Sequence, residues 1–289
     1  MFFPANDCWL IPLKPTIVTL HDIAPVTVLK KYHKSKFDLI QVKLQHLFAR
    51  FFAKKIVTVS NYSAGQLQTH LKIPHNKIEV IYNGISTPDS HTVSIRKPLL
   101  NTPYILYVGG FDKRKNLERL LVAYKTALMK NIHVKLVLIG KSGNNSRLYF
   151  NMPDLVSKYD LNENVLILNN VNDKDLWNYY YNARFFVFPS IIEGFGFPVL
   201  EAMSLNCPVL CSNATSIPEI AGDAAVYFDP LDTEDITAKL QELAVNDSLR
   251  QKVREQGQKQ ILKFSWNKSA HHVIRLIKET LKTTSGGKA

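Results

Sequence analysis

The sequence has little cysteine and no long apolar run. Its 289 residues include three cysteines, Cys8, Cys207 and Cys211, whose spacing fits no metal-binding pair. No apolar run reaches the roughly 18 residues that span a bilayer, and the first residues lack the basic start and clean apolar stretch of a signal peptide. These absences exclude a cysteine-based metal module and an integral membrane protein. They predict a cytoplasmic protein with reduced, structural cysteines.

Acidic residues are also scarce. The chain has 24 Asp and Glu against 36 Lys and Arg, which gives a net charge of +12. Most of the excess lies in residues 1–97, which hold 13 basic and 5 acidic residues. Such an excess predicts contact with an anionic partner, such as a phosphorylated ligand, anionic lipid or nucleic acid. Nucleic acid is not expected, because no recognisable reading element accompanies the charge.

From residue 104 onward, short strands rich in Val, Ile and Leu alternate with helices. The strands are YILYV, VKLVLIG, VLILN, RFFVF, PVLC and AVYF, and polar helices fill residues 232–282. The alternation indicates βαβ units and a parallel sheet covered on both faces, which is a complete doubly wound domain. Before residue 98, strands are predicted at 16–20, 55–60 and 77–82, and helices at about 37–53 and 63–71. These elements make a second, small α/β domain.

The stretch PSIIEGFGFPVLEAM, residues 189–203, is predicted to be a loop that runs from a buried strand into a helix. Pro198 suits the first turn of that helix. The loop then lies at the carboxyl end of a parallel strand, where doubly wound sheets bind ligands. Gly194 and Gly196 let backbone amides approach a diphosphate at the helix start, and Glu201, in the first turn, can accept hydrogen bonds from sugar hydroxyls. The alternative is a structural loop with solvated glutamates.

A second stretch, YVGGFDKRKNLERL, repeats the order of strand, glycine-rich loop and helix. Its residues Lys113, Arg114 and Lys115 can meet phosphate oxygens, arginine in bidentate fashion and lysine as a point charge. The alternative is a basic loop in water. That alternative is less favoured when both loops belong to one sheet.

The stretch EGFGFPVLEAM resembles the Glu-x7-Glu motif of retaining GT-B glycosyltransferases of family 4, the mannosyl- and glucosyltransferase-like group. Further segments resemble that family in its order: TIVTLHDIAP, KIVTVSNYSAGQL, KIEVIYNGI, ILYVGGFDKRKNLERLL, NDKDLWNYYYNARFFVFPS and SIPEIAGDAAVYFDP. The resemblance covers about residues 16–282. It implies two Rossmann-like domains facing a cleft, a nucleotide-sugar donor held mainly by the C-terminal domain, and neither a metal nor a cofactor.

The resemblance also implies a domain division. Residues 1–97 form a partial, acceptor-side N-terminal domain, residues 98–262 form the nucleotide-sugar-binding domain, and residues 263–289 form a helix that packs back toward the first domain. The first domain is expected to be incomplete, because family members carry a strand, a glycine-rich loop and several βα units before the TIVTLHD strand.

By resemblance, Lys115 and Arg114 hold the donor diphosphate, and Glu201 binds the ribose hydroxyls. Backbone atoms at Val171 meet the nucleobase. Many family members carry arginine at the position of Gly110, so more of the charge here falls to Arg114 and Lys115. The full set of predicted donor-binding residues is Gly109, Gly110, Arg114, Lys115, Val171, Glu193, Gly194, Phe195, Gly196, Phe197 and Glu201.

The predicted catalytic residues are His21 and Glu193. By resemblance, His21 reaches the transferred sugar and Glu193 is the acid near it. Asp173 and Asp175 spell the Asp-x-Asp that metal-dependent glycosyltransferases of another fold use. Because Asn172 and Asp173 directly precede a predicted helix, capping and first-turn charge explain them better. No metal site is predicted.

The predicted function is a retaining, metal-independent hexosyltransferase. It moves mannose or glucose from a GDP- or UDP-linked donor to a glycan or lipid-linked acceptor in cell-surface polysaccharide synthesis. One alternative is a non-catalytic nucleotide-sugar-binding fragment or partner subunit, which the shortened N-terminal part favours. Another is a glycoside hydrolase with paired carboxylates. It is less favoured, because Glu193 and Glu201 lie on one loop-helix unit beside a phosphate-type site.

Residues 30–55 combine an apolar stripe with eight basic residues. The stripe consists of Phe37, Ile40, Leu44, Leu47, Phe48 and Phe51, at helical spacing. The favoured interpretation is an amphipathic helix that packs through this stripe on its own sheet and has a basic outer face. The alternative is peripheral attachment to anionic lipid on the inner face of the membrane.

Overall fold

Two parallel β-sheets with interspersed helices carry the fold, which confirms the predicted α/β class. The computed structural model describes residues 1–4, 14–21, 36–86, 98–130, 132–143, 145 and 147–285. The chain divides into two units, each with one sheet. Unit 1 comprises Met1–Gly84, Glu193–Phe195 and Phe264–Ala289, and unit 2 comprises Ile85–Ile192 and Gly196–Lys263.

Strands and helices alternate along most of the described chain. The strands are β1 (Phe2–Phe3), β2 (Ile17–Thr19), β3 (Lys55–Thr58), β4 (Ile78–Val80), β5 (Tyr104–Val108), β6 (Lys135–Ile139), β7 (Val165–Leu168), β8 (Phe185–Phe188), β9 (Val209–Ser212) and β10 (Val226–Phe228). The helices are α1 (Lys36–Phe52), α2 (Asn61–Leu71), α3 (Leu117–Met129), α4 (Met152–Lys158), α5 (Asp173–Asn182), α6 (Phe197–Ser204), α7 (Ile217–Ala221), α8 (Thr233–Val245), α9 (Asp247–Gln260) and α10 (Trp266–Ser285). Of the helices in these described ranges, none has the length and apolar character that a bilayer crossing requires.

The sheet of unit 1 has the order β1-β2-β3-β4, and every neighbouring pair is parallel. Successive side chains of a strand point to opposite faces of a sheet. Val18 and Ile56 therefore pack on one face with α1 and α2, and Ile17 and Val57 pack on the other. Leu276 of α10 is buried against that second face. Helix α10, far away in sequence, completes the core of unit 1.

The favoured prediction for α1, that its apolar stripe packs on the sheet, is wrong. Four residues of the stripe are exposed: Ile40 by 54%, Leu44 by 54%, Leu47 by 44% and Phe51 by 65%. Instead Ala49 and the following Ala53 are buried against the sheet, with Phe48 partly buried beside them. At about 100° per residue, the alanines lie on the side of the helix opposite to the exposed stripe. The small alanine side chains let the helix approach the sheet closely. The large apolar side chains of the stripe lie on the other side of the helix and point to solvent. The side chain of Phe37 is outside the described set.

The sheet of unit 2 has the order β10-β9-β8-β5-β6-β7, and its pairs are also parallel. The chain builds outward from β5 through β6 and β7, and then returns to the other side of β5 to add β8, β9 and β10. The strand order therefore reverses between the neighbours β5 and β8. Open α/β sheets bind ligands outside the carboxyl ends of the strands at such a switch point. Both strands are buried along almost their whole length, as expected when helices cover both faces.

The two described cysteines are structural. Both are buried free thiols; Cys207 lies two residues before β9, and Cys211 lies within it. Burial raises the pKa of both thiols, so neither forms the thiolate that reactive cysteines need. Cys8 lies outside the described residues.

Candidate functional site

Two loops of unit 2 meet at its switch point. One loop follows β5 and the other follows β8. The backbone amide of Ile191 donates to the carbonyl oxygen of Arg114 at 2.9 Å, and Nη1 of Arg114 donates to the carbonyl oxygen of Ile192 at 3.2 Å. The glycine-rich stretch after β5 and the start of the loop after β8 are therefore neighbours in space.

Lys115 is the buried cation of this site. Its residue is 7% exposed, and its Nζ lies 5.1 Å from the ring centre of Phe188, the last residue of β8. The ring face attracts the ammonium group through its quadrupole. A partly desolvated charge also interacts with a nearby anion more strongly than it would in water. Lys115 therefore supplies a fixed positive charge at the carboxyl end of β8.

Arg114 offers less charge than the sequence predicts. Its Nε lies 2.8 Å from Oδ1 of Asp112, two positions earlier in the same turn. This ion pair orients the guanidinium group and neutralises part of its charge. Because Gly110 supplies no charge, Lys115 is the principal cation of the predicted diphosphate site.

Glu201 is oriented by Tyr180. The hydroxyl of Tyr180 donates to Oε2 of Glu201 at 2.9 Å. Burial raises the pKa of Glu201, and the hydrogen bond from Tyr180 opposes part of that rise. The sequence analysis predicts Glu201 in the first turn of α6. That prediction is wrong by one turn, because Glu201 is the fifth residue of the helix and lies in its second turn. Tyr180 is missing from the predicted set, since a run of three tyrosines in a helix does not indicate which one meets a partner.

A chain of aromatic rings supports both of these charged side chains. The ring centres of Tyr180 and Phe186 are 5.4 Å apart, and those of Phe186 and Phe188 are 5.9 Å apart. Lys115 contacts the last ring of this chain, and Glu201 is hydrogen-bonded to the first. All of these rings except Tyr180 belong to β8, so the buried strand fixes the positions of both groups.

The turn after β5 needs glycine for close packing. Gly109 has φ of +154°, a conformation that favours glycine. Its amide donates to the carbonyl oxygen of Ile139 at 3.0 Å, and the hydroxyl of Tyr107 donates to the carbonyl oxygen of Gly110 at 2.7 Å. A Cβ on Gly140 would lie 1.9 Å from the carbonyl oxygen of Gly109. The turn is therefore packed directly on the loop after β6.

Gly196 directs the second loop into α6. It is the N-cap residue of that helix and has φ of +115° and ψ of 47°, a backbone conformation that L-residues rarely adopt. No atom lies within 4 Å of the position that a Cβ would occupy. The need for glycine here is conformational and not steric. Phe197 and Pro198 can then begin the helix.

Gly196→Ala is expected to lower the free energy of unfolding by about 1–3 kcal/mol, because it forces a side chain into a strained backbone conformation. Gly65→Ala is the matched control. Gly65 lies inside α2, also with no atom within 4 Å of a Cβ, and there alanine should stabilise by roughly 0.5–1 kcal/mol. Urea denaturation of both variants measures the two signs. A Gly196→Ala protein as stable as the wild type would contradict the backbone assignment.

Three of the predicted donor-binding residues, Glu193, Gly194 and Phe195, belong to unit 1 by their contacts. The carbonyl oxygen of Gly194 accepts hydrogen bonds from Oγ of Ser60 at 2.8 Å and from Oγ of Ser63 at 3.3 Å. Ser60 is also the N-cap of α2 and accepts from the amide of Ser63 at 3.0 Å. Glu193 is buried, with 9% exposure. The two serines fix this part of the loop, and the sequence prediction missed both.

His21 lies at the rim of a cavity in unit 1. It is exposed and follows β2. The cavity has a volume of about 540 Å³ and extends over the carboxyl ends of β2, β3 and β4. Its lining is mainly apolar and includes Phe2, Val57, Val59, Ile81, Trp266 and Val273. A ligand in this cavity would therefore have apolar surface beside the imidazole.

A second cavity, of about 320 Å³, lies in unit 2 at the carboxyl ends of β6 and β7. Its lining includes Phe111, Lys141, Ser142, Ile167, Asn169 and Asn170. Val171, the residue predicted to meet the nucleobase, directly follows this lining and is partly exposed. Lys141 and Ser142 bring polar groups that the sequence prediction missed. The volume is at the lower end of the range for small-molecule sites.

Asp175 takes part in a helix cap. Oδ1 of Asn172 accepts from the amide of Asp175 at 3.0 Å, and Nδ2 of Asn172 donates to Oδ2 of Asp175 at 2.8 Å. This geometry matches the capping interpretation of the sequence. Over the part of the chain that the structure describes, no group of three or more His, Cys, Asp or Glu is placed to hold a metal ion.

Comparison with known proteins places both units among glycosyltransferases. Residues 2–88 match the family described as Glycosyltransferase Family 4, and residues 93–260 match Glycosyl transferases group 1. The O-antigen chain mannosyltransferase B of Escherichia coli is 32% identical over 274 residues, which cover 92% of this chain and 71% of the relative. The serotype-specific mannosyltransferase WbdA of Escherichia coli is 27% identical over 98% of this chain and 36% of its own length.

Solved structures share the fold. Sucrose-phosphate synthase from Thermosynechococcus elongatus superimposes with a TM-score of 0.72 at 21% identity, over 93% of this chain and 68% of that structure. The similarity shows a common architecture of two Rossmann-like units.

Proposed function

Because this chain belongs to glycosyltransferase family 4 and is a hexosyltransferase of polysaccharide synthesis, we propose that it transfers a mannose- or glucose-type hexose with retention. The donor is a GDP- or UDP-linked sugar, and the acceptor is a glycan or a lipid-linked glycan. The observation that carries the proposal is the buried cation Lys115 at the switch point of unit 2. The names of the two Escherichia coli relatives favour mannose as the transferred sugar.

In the proposed reaction, the bond between the anomeric carbon and the diphosphate oxygen breaks, and its electron pair leaves with the diphosphate. The acceptor hydroxyl oxygen bonds to the anomeric carbon on the same face and loses its proton. Negative charge grows on the leaving group, so Lys115, Arg114 and the loop amides stabilise the transition state more than the bound donor. By the family resemblance, His21 and Glu193 position the sugar. No metal or cofactor takes part in the proposal.

Glu201 is assigned to the ribose of the donor. An ionised carboxylate is an acceptor for the two neighbouring ribose hydroxyls, and it must hold its orientation to serve both. The hydrogen bond from Tyr180 fixes one of the carboxylate oxygens. A carboxylate held in this way is suited to recognising the ribose of the donor, and no proton transfer is assigned to it.

The acceptor side of the proposal rests on the cavity beside His21. Its largely apolar lining favours an acceptor with an apolar part, and therefore a lipid-linked acceptor over a free glycan. Contact of the protein with an anionic membrane belongs to the same proposal, and nucleic acid is not an expected partner.

A second candidate function is a non-catalytic nucleotide-sugar-binding subunit. The chain spans 36% of the length of WbdA and 71% of the length of mannosyltransferase B, and the sugar transfer of these relatives is therefore a proposal for this chain. Such a subunit would hold the nucleotide-sugar through the same residues of unit 2 without transferring its sugar.

A thermal-shift panel followed by a transfer assay distinguishes the two functions. A nucleoside diphosphate at a hundred times its Kd is expected to stabilise the protein by about 2.7 kcal/mol, and the panel of GDP, UDP and ADP identifies the base. The matching nucleotide-hexose is then incubated with and without a lipid-linked glycan acceptor. Acceptor-dependent release of the diphosphate supports the transferase, whereas binding without release supports the subunit. A protein that none of the three nucleotides stabilises would contradict both.

A further inference from the structure

Helix α1 presents a continuous apolar stripe to solvent. Ile40, Leu44, Leu47 and Phe51 recur at the spacing of one helix face, and each is exposed by 44–65%. At 1.5 Å per residue, the stripe extends for roughly 16 Å along the helix axis. Phe52, 44% exposed, extends it at the C-terminal end. Single exposed leucines are ordinary, but a contiguous run of large apolar side chains marks an interaction site.

Cationic groups surround the C-terminal end of this stripe. The guanidinium carbon of Arg50 lies 5.2 Å from the ring centre of Phe51, and Nζ of Lys77 donates to the carbonyl oxygen of Arg50 at 3.0 Å. Lys54, which is exposed, follows the end of the helix two residues after Phe52. Residues 36–86 contain seven Lys and Arg against two Asp and Glu. The surroundings of the stripe are therefore positively charged.

We propose that this face of α1 is the surface through which the protein docks on an anionic lipid bilayer. The helix axis lies in the plane of the interface, and the four apolar side chains enter the boundary between headgroups and acyl chains. Arg50, Lys54 and their basic neighbours face the lipid phosphates. This inference rests on the membrane contact of the proposed function and names the surface that makes it. It does not depend on which nucleotide-sugar is the donor.

Charge favours a lipid surface over a second copy of the chain. Two copies would bring together the part of the molecule that carries most of the +12 net charge, and like charges at an interface oppose association. An anionic bilayer has the complementary sign and accepts the apolar side chains at the same time. The opposite face of α1 already packs on the sheet through Ala49 and through Ala53, the residue after the helix.

Sedimentation with lipid vesicles tests the proposal. The whole protein is expected to bind vesicles of phosphatidylglycerol and phosphatidylcholine in equal parts, to bind phosphatidylcholine alone much less, and to be released by salt. The double substitution Leu44→Gln and Phe51→Gln keeps good helix formers on the surface. It is expected to lower the vesicle partition coefficient about tenfold or more, because two large apolar side chains no longer enter the lipid.

The matched control is the double substitution Val245→Gln and Leu262→Gln in unit 2. Both side chains are 71% exposed, so overall surface hydrophobicity falls by a similar amount, and vesicle binding is expected to stay at the wild-type level. Circular dichroism and the thermal shift with nucleoside diphosphate check that each variant is folded, and they report on the donor site independently of the vesicles.

Three results would overturn the proposal. The first is equal sedimentation of wild type and the Leu44→Gln, Phe51→Gln variant. The second is equal binding to charged and uncharged vesicles at low salt. The third is a wild-type protein that ignores vesicles and forms dimers in light scattering that this variant abolishes, which would assign the stripe to a second copy. A failure to bind nucleotide would refute the proposed donor chemistry and leave the vesicle result standing.

Discussion

Lys115→Ala is expected to lower kcat/KM for hexose transfer by at least about a hundredfold, which corresponds to about 2.7 kcal/mol of lost transition-state stabilisation. The substitution removes the buried ammonium group at the carboxyl end of β8. Hydrogen bonds to charged groups each contribute about 1.5–3 kcal/mol, and the diphosphate gains its charge as it leaves. Initial-rate kinetics with varied nucleotide-sugar and saturating acceptor measure the effect.

Lys113→Ala is the control for this prediction. Lys113 belongs to the same turn of 3₁₀ helix, but its Nζ lies 6.0 Å from the ring centre of Phe150 instead of over β8. Its loss should change kcat/KM by no more than a few-fold. Arg114→Ala should fall between the two, because Asp112 already takes up part of the arginine charge. Equal losses for Lys113→Ala and Lys115→Ala would show that the turn acts only through its general charge.

Glu201→Gln is expected to reduce kcat/KM by about a hundredfold at neutral pH, mainly through weaker binding of the donor. The amide keeps the shape of the side chain but loses its charge and replaces one acceptor oxygen with a donor. Isothermal titration with nucleoside diphosphate and initial-rate kinetics separate binding from turnover. Glu242→Gln is the control. Glu242 forms an ion pair with Lys239 on α8 of the same unit, and it has no place in the proposed site.

The pH dependence of donor binding gives an independent check on Glu201. Burial raises the pKa of this carboxyl group, and binding requires the ionised form. Binding is therefore complete well above the raised pKa and is lost as the pH falls through it. Tyr180→Phe removes the hydrogen bond that holds the pKa down, so the loss should begin at a higher pH, while Tyr179→Phe leaves the profile unchanged. An unshifted profile in Tyr180→Phe would refute the assigned pairing.

The positions of the two loops of unit 2 that form the proposed donor site could be predicted from the sequence. The segments YILYV and RFFVF have the apolar character of fully buried parallel strands, and the glycines and basic residues that follow them stand at strand ends. A parallel sheet brings all its carboxyl ends to one edge. The sequence therefore predicts both loops without knowledge of any contact.

The orientation of α1 could not be predicted from its pattern. The stripe from Ile40 to Phe51 is the most hydrophobic face of the helix, yet Ala49 and its neighbours meet the sheet. Periodicity identifies an apolar face, but it does not reveal which surface covers that face.

Several supporting contacts were also beyond the sequence. Tyr180 meets Glu201 across 21 residues, and Ser60 meets Gly194 across 134 residues. Such pairs arise from the packing of distant elements, and single-residue propensities carry no information on them. The ion pair of Asp112 with Arg114 is local, since the two residues are only two positions apart. It still depends on the conformation of the turn between them, which the sequence does not specify.

The proposed donor site requires that Lys115 hold the diphosphate at the edge of the sheet of unit 2. The most direct test is calorimetric titration of the wild type and of Lys115→Ala with a nucleoside diphosphate and with the corresponding monophosphate. The wild type is expected to bind the diphosphate at least about tenfold more tightly, a difference of about 1.4 kcal/mol, and Lys115→Ala should lose most of that preference. A wild type that binds both nucleotides equally, or a variant that keeps the full preference, would contradict the assignment.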